Sequence, residues 1–308
     1  MLRITQKTIV FCMFCILILL SNAHWAQAQL TVSYESFPSS MMSDPDTEPV
    51  NGQRNFTQDL KLQVSSLNIG IGFPFVFSEG KTVYVPQINY QHLNIIYENW
   101  DLQQGGTSRV DNAYAIDFSS TLIHQVNEKW SLLAILTPGI ASDFVDDLQV
   151  EDFTIQAVFV FIKEYRETFS AGYGLAYSNT FGQPFPVPVI AINWNNGANL
   201  RIESILPVNM EVTYKLRENM ETGLLLNVAG NQYHGAESKF DVGNPLMRYS
   251  SGVIGPFFRL ATPFGFKATI TGGYTFLRRF EFFDGDTEAA SYNIKNKAFI
   301  RVGLQLGG

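Results

Sequence analysis

Lys297-Ala298-Phe299-Ile300-Arg301-Val302-Gly303-Leu304-Gln305-Leu306 is the stretch that decides the fold. Ala298, Ile300, Val302, Leu304 and Leu306 share one parity, while Lys297, Arg301, Gly303 and Gln305 share the other. Successive side chains of a strand point to opposite faces, so this segment has one lipid-like and one wet face. The same rhythm sets Phe169, Ala171, Tyr173, Leu175 and Tyr177 against Thr168, Ser170, Gly172, Gly174 and Ser178. It returns in Phe264, Phe266, Ala268, Ile270, Gly272, Tyr274 and Phe276 against Lys267, Thr269, Thr271 and Thr275. Repeated strand after strand, it predicts an all-β chain: a transmembrane antiparallel up-and-down β-barrel of a bacterial outer membrane. At Ser65-Ser66 the apolar phase jumps from Leu62 and Val64 to Leu67, Ile69 and Ile71, which reads as a β-bulge.

The amino terminus reads as a cleaved signal peptide over residues 1–28, leaving a single barrel domain over 29–308. Arg3 and Lys7 precede an apolar run from Ile9 to Leu20, and Ala26-Gln27-Ala28 offers a small-x-small cleavage site. As a helix that run would rise only about 18 Å, short of a hydrocarbon core of about 30 Å. Both cysteines, Cys12 and Cys15, lie in the leader, so the exported chain is expected to be free of thiols and disulfides. Cleavage would remove two of 21 basic residues and no acidic one, leaving 19 against 28 and a net charge of about −9. Such acidity argues against nucleic acid as a partner. No later segment holds eighteen consecutive apolar residues, so helical spans are excluded. A soluble sandwich would have to cover its sheets without staples or helices.

Short polar connections alternate with longer ones, which assigns the former to the periplasmic rim and the latter to the outside. The short ones are Ser78 to Lys81, Asn127 to Lys129, Lys163 to Glu167, Asn195 to Gly197, Arg217 to Asn219, and Thr262-Pro263. The longer ones run Ser39 to Phe56, Glu98 to Val110, Ser142 to Val150, Asn179 to Pro186, Asn231 to Leu246 and Phe280 to Ile294, with a tight corner at Leu206-Pro207. Thirteen strands follow from about Asp59, and Leu30 to Phe37 supplies one more, giving an even fourteen. Twelve is the alternative, because Leu200 to Leu206 and Val208 to Leu216 are at or below the nine to eleven residues of a tilted crossing strand. Aromatics near strand ends (Phe73, Phe75, Phe77, Tyr97, Trp100, Trp130, Trp194, Tyr249 and Phe282) suit the headgroup layers.

The stretch Gly172-Tyr173-Gly174-Leu175-Ala176-Tyr177, followed by Phe181-Gly182-Gln183-Pro184-Phe185-Pro186-Val187-Pro188-Val189 and by Ile202-Glu203-Ser204-Ile205-Leu206-Pro207, resembles a family of bacterial outer-membrane β-barrel proteins of unknown function. The resemblance implies a barrel and brings no catalytic residues. Many such barrels end on an aromatic; this chain ends Leu306-Gly307-Gly308.

No constellation advertises covalent chemistry. His92, His124 and His234 lack metal-ligand spacing, and no Gly-x-Ser-x-Gly is present, so no enzyme, metal or cofactor is expected. The charges carry more. The predicted outer loops are strongly acidic, with Asp284, Asp286 and Glu288 clustered near the end of the chain. This is either plain solvation or a rim that gathers divalent cations against lipopolysaccharide, or cations at a pore mouth. Around Pro207 the polar parity carries Arg201, Glu203, Glu211 and Lys215; a three-residue corner places Glu203 opposite Glu211, with Arg201 diagonal. With Asp117, Lys267 and Arg301 these side chains are expected to line the lumen, as a selectivity element or as a brace across a filled interior. The expected function is a porin-like passive channel for small solutes; the alternative is a non-conducting envelope scaffold or adhesion barrel. Partners are outer-membrane lipid and lipopolysaccharide, and fourteen strands leave a wider lumen than eight.

Overall fold

A computed structural model describes residues 28–43, 60–99, 110–178, 185–236, 245–285 and 287–307. The expected leader and much of the outer connections lie outside these residues, as do Trp100 and Asp286. Strand segments follow one another as β1 (Gln29–Ser43), β2 (Lys61–Gly72), β3 (Phe75–Phe77), β4 (Thr82–Glu98), β5 (Asn112–Gln125), β6 (Trp130–Ser142), β7 (Phe153–Arg166) and β8 (Phe169–Ser178). They continue as β9 (Phe185–Asn195), β10 (Leu200–Leu206), β11 (Asn209–Arg217), β12 (Met220–His234), β13 (Pro245–Ala261), β14 (Phe266–Asp284), β15 (Thr287–Ile294) and β16 (Ala298–Leu306). Segment β3 only prolongs the first inner hairpin, and β15 and β16 are two halves of one stave, both paired with β14 and β1.

Fourteen staves close into an antiparallel barrel. The seam is β1 on β16, in register from Leu30 opposite Leu306 to Ser36 opposite Ile300. Closure is obligatory, because an open edge in lipid leaves backbone groups unpaired at several kcal/mol each. The twelve-strand alternative falls, since β10 and β11 are short but paired on both sides. Their tight outer corner at Pro207 ends them low in the wall, so neither has to span the full height.

The outward parity is apolar where the sequence rhythm placed it: Ile300, Val302 and Leu304 on β16, Tyr173 and Leu175 on β8, and Ile270 and Tyr274 on β14 are all exposed. The expected bulge at Ser65-Ser66 is corrected. Pairing of β2 with β4 runs unbroken from Lys61 opposite Glu98 to Gly72 opposite Gln87, and the irregularity beside β2 lies on β1 between Phe37 and Ser40. Leu62 and Val64 point inward and are fully buried, whereas Ile71 points outward. The phase jump therefore marks a height, not an insertion. Below it lipid demands apolar side chains outside; above it the wall stands in water and a dry interior reverses the demand.

That upper level is narrower than the base. Staves β7 to β11 end low, so the outer end of β12 crosses to β6, where His234 lies opposite Ser142 in a parallel bridge. The His234 carbonyl accepts from the Asp143 amide at 3.1 Å and from the Ser142 hydroxyl at 3.0 Å. Beneath the bridge, His234 Nδ1 stands 3.1 Å from Asp152 Oδ1, both side chains buried.

Inside the narrowed level lies a dry plug built from the wall itself. Phe37, Leu62, Val64, Leu93, Ile95, Tyr233, Tyr249, Phe280, Tyr292 and Phe299 form one buried cluster. Phe280 packs edge-on to Phe282 at 4.9 Å and to Tyr97 at 6.2 Å, and Phe37 stacks on Phe299 at 6.0 Å. This corrects the aromatic assignment: Tyr97, Tyr249 and Phe282 belong to the plug, not to a headgroup layer. Two outer loops are corrected with it. Phe280 to Ile294 is a hairpin, β14 running to Asp284 and β15 starting at Thr287, and Asn231 to His234 is strand; both carry plug residues inward. At the inner rim β7 extends through Arg166, leaving a two-residue turn where Lys163 to Glu167 was expected to be turn.

Candidate functional site

Below the plug the lumen is hollow. Among the described residues, cavities of about 460, 480 and 260 Å³ ascend from the inner mouth; the first two share Glu203 and Glu211, the upper two Asn227 and Arg301. Each wall residue reaches this space through strand parity, so the polar phase of the sequence becomes the lining.

The lowest cavity holds most of the charges. Glu203 lies opposite Glu211 across the β10–β11 hairpin, as a three-residue corner requires. What pairs with Glu211 is Arg259 of β13, which sequence reasoning did not single out. Its Nη2 is 3.1 Å from both Glu211 oxygens and its Nη1 2.8 Å from Glu221 Oε2. Thr213 adds a hydroxyl donor to Glu211 at 2.8 Å. Arg201 Nε stands 3.3 Å from Glu203 Oε2 but makes no hydrogen bond, a looser pairing. Lys215 sits across from Glu221 in the β11–β12 register, and Lys267 lines the same cavity with Gln305. The only hint of Arg259 in the sequence is a charge between outward Phe258 and Leu260. Its partners come from strands separated by 38 and 48 residues, which no local pattern relates.

Arg301 and Asp117 do not join this cluster. Arg301 lies higher, bonded to Glu35 of β1 at 2.8 and 3.1 Å and to Asn227 Oδ1 at 3.3 Å. Asp117 is on β5, opposite Asn89 and Gly139, on the far wall. The Glu35–Arg301 pair is largely enclosed, with side chains 12 % and 24 % exposed. Removing one member of such a pair strands the other charge. Arg301→Met is expected to cost about 3 kcal/mol or more of barrel stability, measured by urea unfolding in detergent, and Glu35→Gln in the same chain is expected to recover most of it.

At the outer rim Asp284 and Glu288 occupy the exposed tip of the β14–β15 hairpin. Neighbouring Glu281 is buried instead of exposed, held by Arg279 at 3.2 Å and Arg248 at 3.9 Å. Among the described residues no group of three His, Cys, Asp or Glu side chains is placed to hold a metal. His92 bonds Asn112 at 2.9 Å and stacks on Tyr114, and His124 bonds Thr82 at 2.9 Å.

Residues 24–307 match the family described as "Domain of unknown function (DUF6268)". The chain belongs to that family. This agrees with the resemblance seen in the Leu-Pro corner and the segments before it. No curated protein matches. Among solved structures, the COG4313 outer membrane channel from Pseudomonas putida F1 shares 8 % identity, with 93 % of this chain and 97 % of that one covered and a TM-score of 0.48. A deletion mutant of the TodX monoaromatic hydrocarbon channel shares 8 %, covering 93 % and 91 %, with a TM-score of 0.40. The translocator domain of the autotransporter NalP from Neisseria meningitidis shares 8 %, covering 96 % and 95 %, with a TM-score of 0.37. A closed antiparallel barrel with an apolar outer belt has its place in the bacterial outer membrane, and that is where this DUF6268 chain resides.

Proposed function

We propose that this barrel is a channel-type protein for small polar solutes, without covalent chemistry, whose outer rim meets lipopolysaccharide and whose lumen is sealed on that side by its own plug. One observation carries the reading: a continuous series of cavities with a polar, charge-lined entrance leads from the inner mouth to the underside of the plug. A scaffold gains nothing from a hollow interior of hydrogen-bonding groups, which costs the packing a filled barrel would keep. Phe37, Tyr249 and Phe280 fill the outer level, which supports a passage closed on that side at rest.

Planar-bilayer conductance in KCl tests this. Wild-type barrels are expected to conduct rarely, and Tyr249→Ala/Phe280→Ala barrels at least tenfold more. If the double variant assembles, keeps its resistance to unheated detergent, and stays as silent as wild type, the channel reading fails and the scaffold reading takes its place.

A further inference from the structure

The uppermost cavity, about 260 Å³, has a chemistry distinct from the charged mouth below it. Its ceiling is the underside of the plug, formed by the edges of the buried Phe37, Tyr233 and Tyr249. Its walls carry the amides of Asn68, Gln91, Asn227 and Asn231. Among the described residues that line it, the only charges are Glu35 and Arg301, matched to each other, while Arg278 lies buried behind the ceiling against Phe37 and the Tyr249 hydroxyl.

The amides are held in fixed orientations by protein neighbours. Gln91 Oε1 accepts from the Tyr233 hydroxyl at 2.7 Å and from Asn231 Nδ2 at 3.4 Å, which leaves the Gln91 amide nitrogen to donate into the cavity. Asn227 Oδ1 accepts from Arg301, so its nitrogen is likewise the outstanding donor. Asn68 Nδ2 donates to Ser66 Oγ at 2.9 Å, leaving its carbonyl oxygen as an acceptor. Donors and an acceptor therefore surround one space beneath an aromatic ceiling.

Three ligand classes meet this lining differently. An apolar solute would strand the amides without partners, at a cost for each. A charged solute would have to break the Glu35–Arg301 pair or remain unpaired in an enclosed site. A ring of hydroxyls both donates and accepts at short intervals, which matches fixed amide donors and an acceptor set around one space, and its C–H groups suit the apolar part of the ceiling. We propose that this cavity is a binding site for a neutral saccharide ring. The proposal rests on the reading that solutes enter the lumen from the inner mouth, and it names the class they belong to.

The site opens toward the inner mouth, so binding can be measured on the sealed wild-type barrel without any conductance. Purified full-length protein in detergent is titrated with glucose by calorimetry and by saturation-transfer NMR, with gluconate and cyclohexanol as charged and apolar comparators. Glucose is expected to bind saturably in the millimolar range, at least tenfold more tightly than either comparator. Gln91→Leu and Asn227→Leu are each expected to weaken it at least tenfold, with heat-dependent gel mobility confirming that each variant is closed. Absence of saturable glucose binding, equal binding of a comparator, or wild-type affinity in both variants would overturn the proposal. A barrel that opens on plug thinning yet ignores glucose removes the saccharide and keeps the channel; one that binds glucose yet never conducts does the reverse.

Discussion

A Gly273→Val chain is expected to leave almost no closed barrel in the membrane. Gly255 on β13 and Gly273 on β14 lie against each other near the register shift at Gly252/Val253, with no room for a Cβ on either. A Cβ on Gly273 would sit 2.5 Å from Gly255 Cα and closer still to the Ile254 carbonyl oxygen; one on Gly255 would sit 2.6 Å from Gly273 Cα. These are backbone atoms that cannot turn aside. A branched side chain must therefore pry the staves apart, at about 3 kcal/mol or more, and in lipid each ladder bond lost has no water to replace it. The measurement is the fraction of membrane-extracted protein that migrates as the compact, unheated form. Near-complete loss is expected for Val and a partial loss for Ala. Wild-type assembly of the Val variant would show that β13 and β14 do not approach as described.

The second large effect separates the two faces of one stave. Val302 lies outward near the middle of β16, whereas Gln305 lies inward beside Lys267 and the charged cavity. A positive charge on the lipid face near mid-depth costs about 2–4 kcal/mol, and one in a wet lumen costs almost nothing. Val302→Arg is accordingly expected to lower the urea midpoint of the folded barrel strongly and Gln305→Arg hardly at all. Equal effects at the two sites would mean that parity does not divide lipid from water here. That would remove the basis for assigning the cavities to a lumen.

How much of this was legible beforehand differs from part to part. The segment Ala298 to Leu306 states its own orientation, because an alternation of period 2 has only one way to satisfy lipid and water at once. The inner turns are equally readable: polar residues between two apolar phases leave the chain nowhere else to reverse. The closing partner of the last stave followed from the need for an even count, and Leu30 to Phe37 supplied it. The Glu203 and Glu211 juxtaposition was readable too, since a tight corner fixes register by arithmetic.

The misread elements share one cause. Leu62 and Val64 read as the edge of a bulge, and Tyr97, Tyr249 and Phe282 as a headgroup belt, because the sequence shows apolar side chains without showing height. Above the membrane the same side chain that would face lipid must face inward, and periodicity does not record where that change occurs. The sequence by itself determined a closed membrane cylinder, its parity and the short hairpin that lines it. Only the tertiary structure decided that the cylinder narrows where β12 meets β6, that the plug is made of wall residues, and that Arg259 and Glu35 hold the lumen charges. Those contacts join residues far apart in the chain, and their distances exist only once the ring of staves has closed.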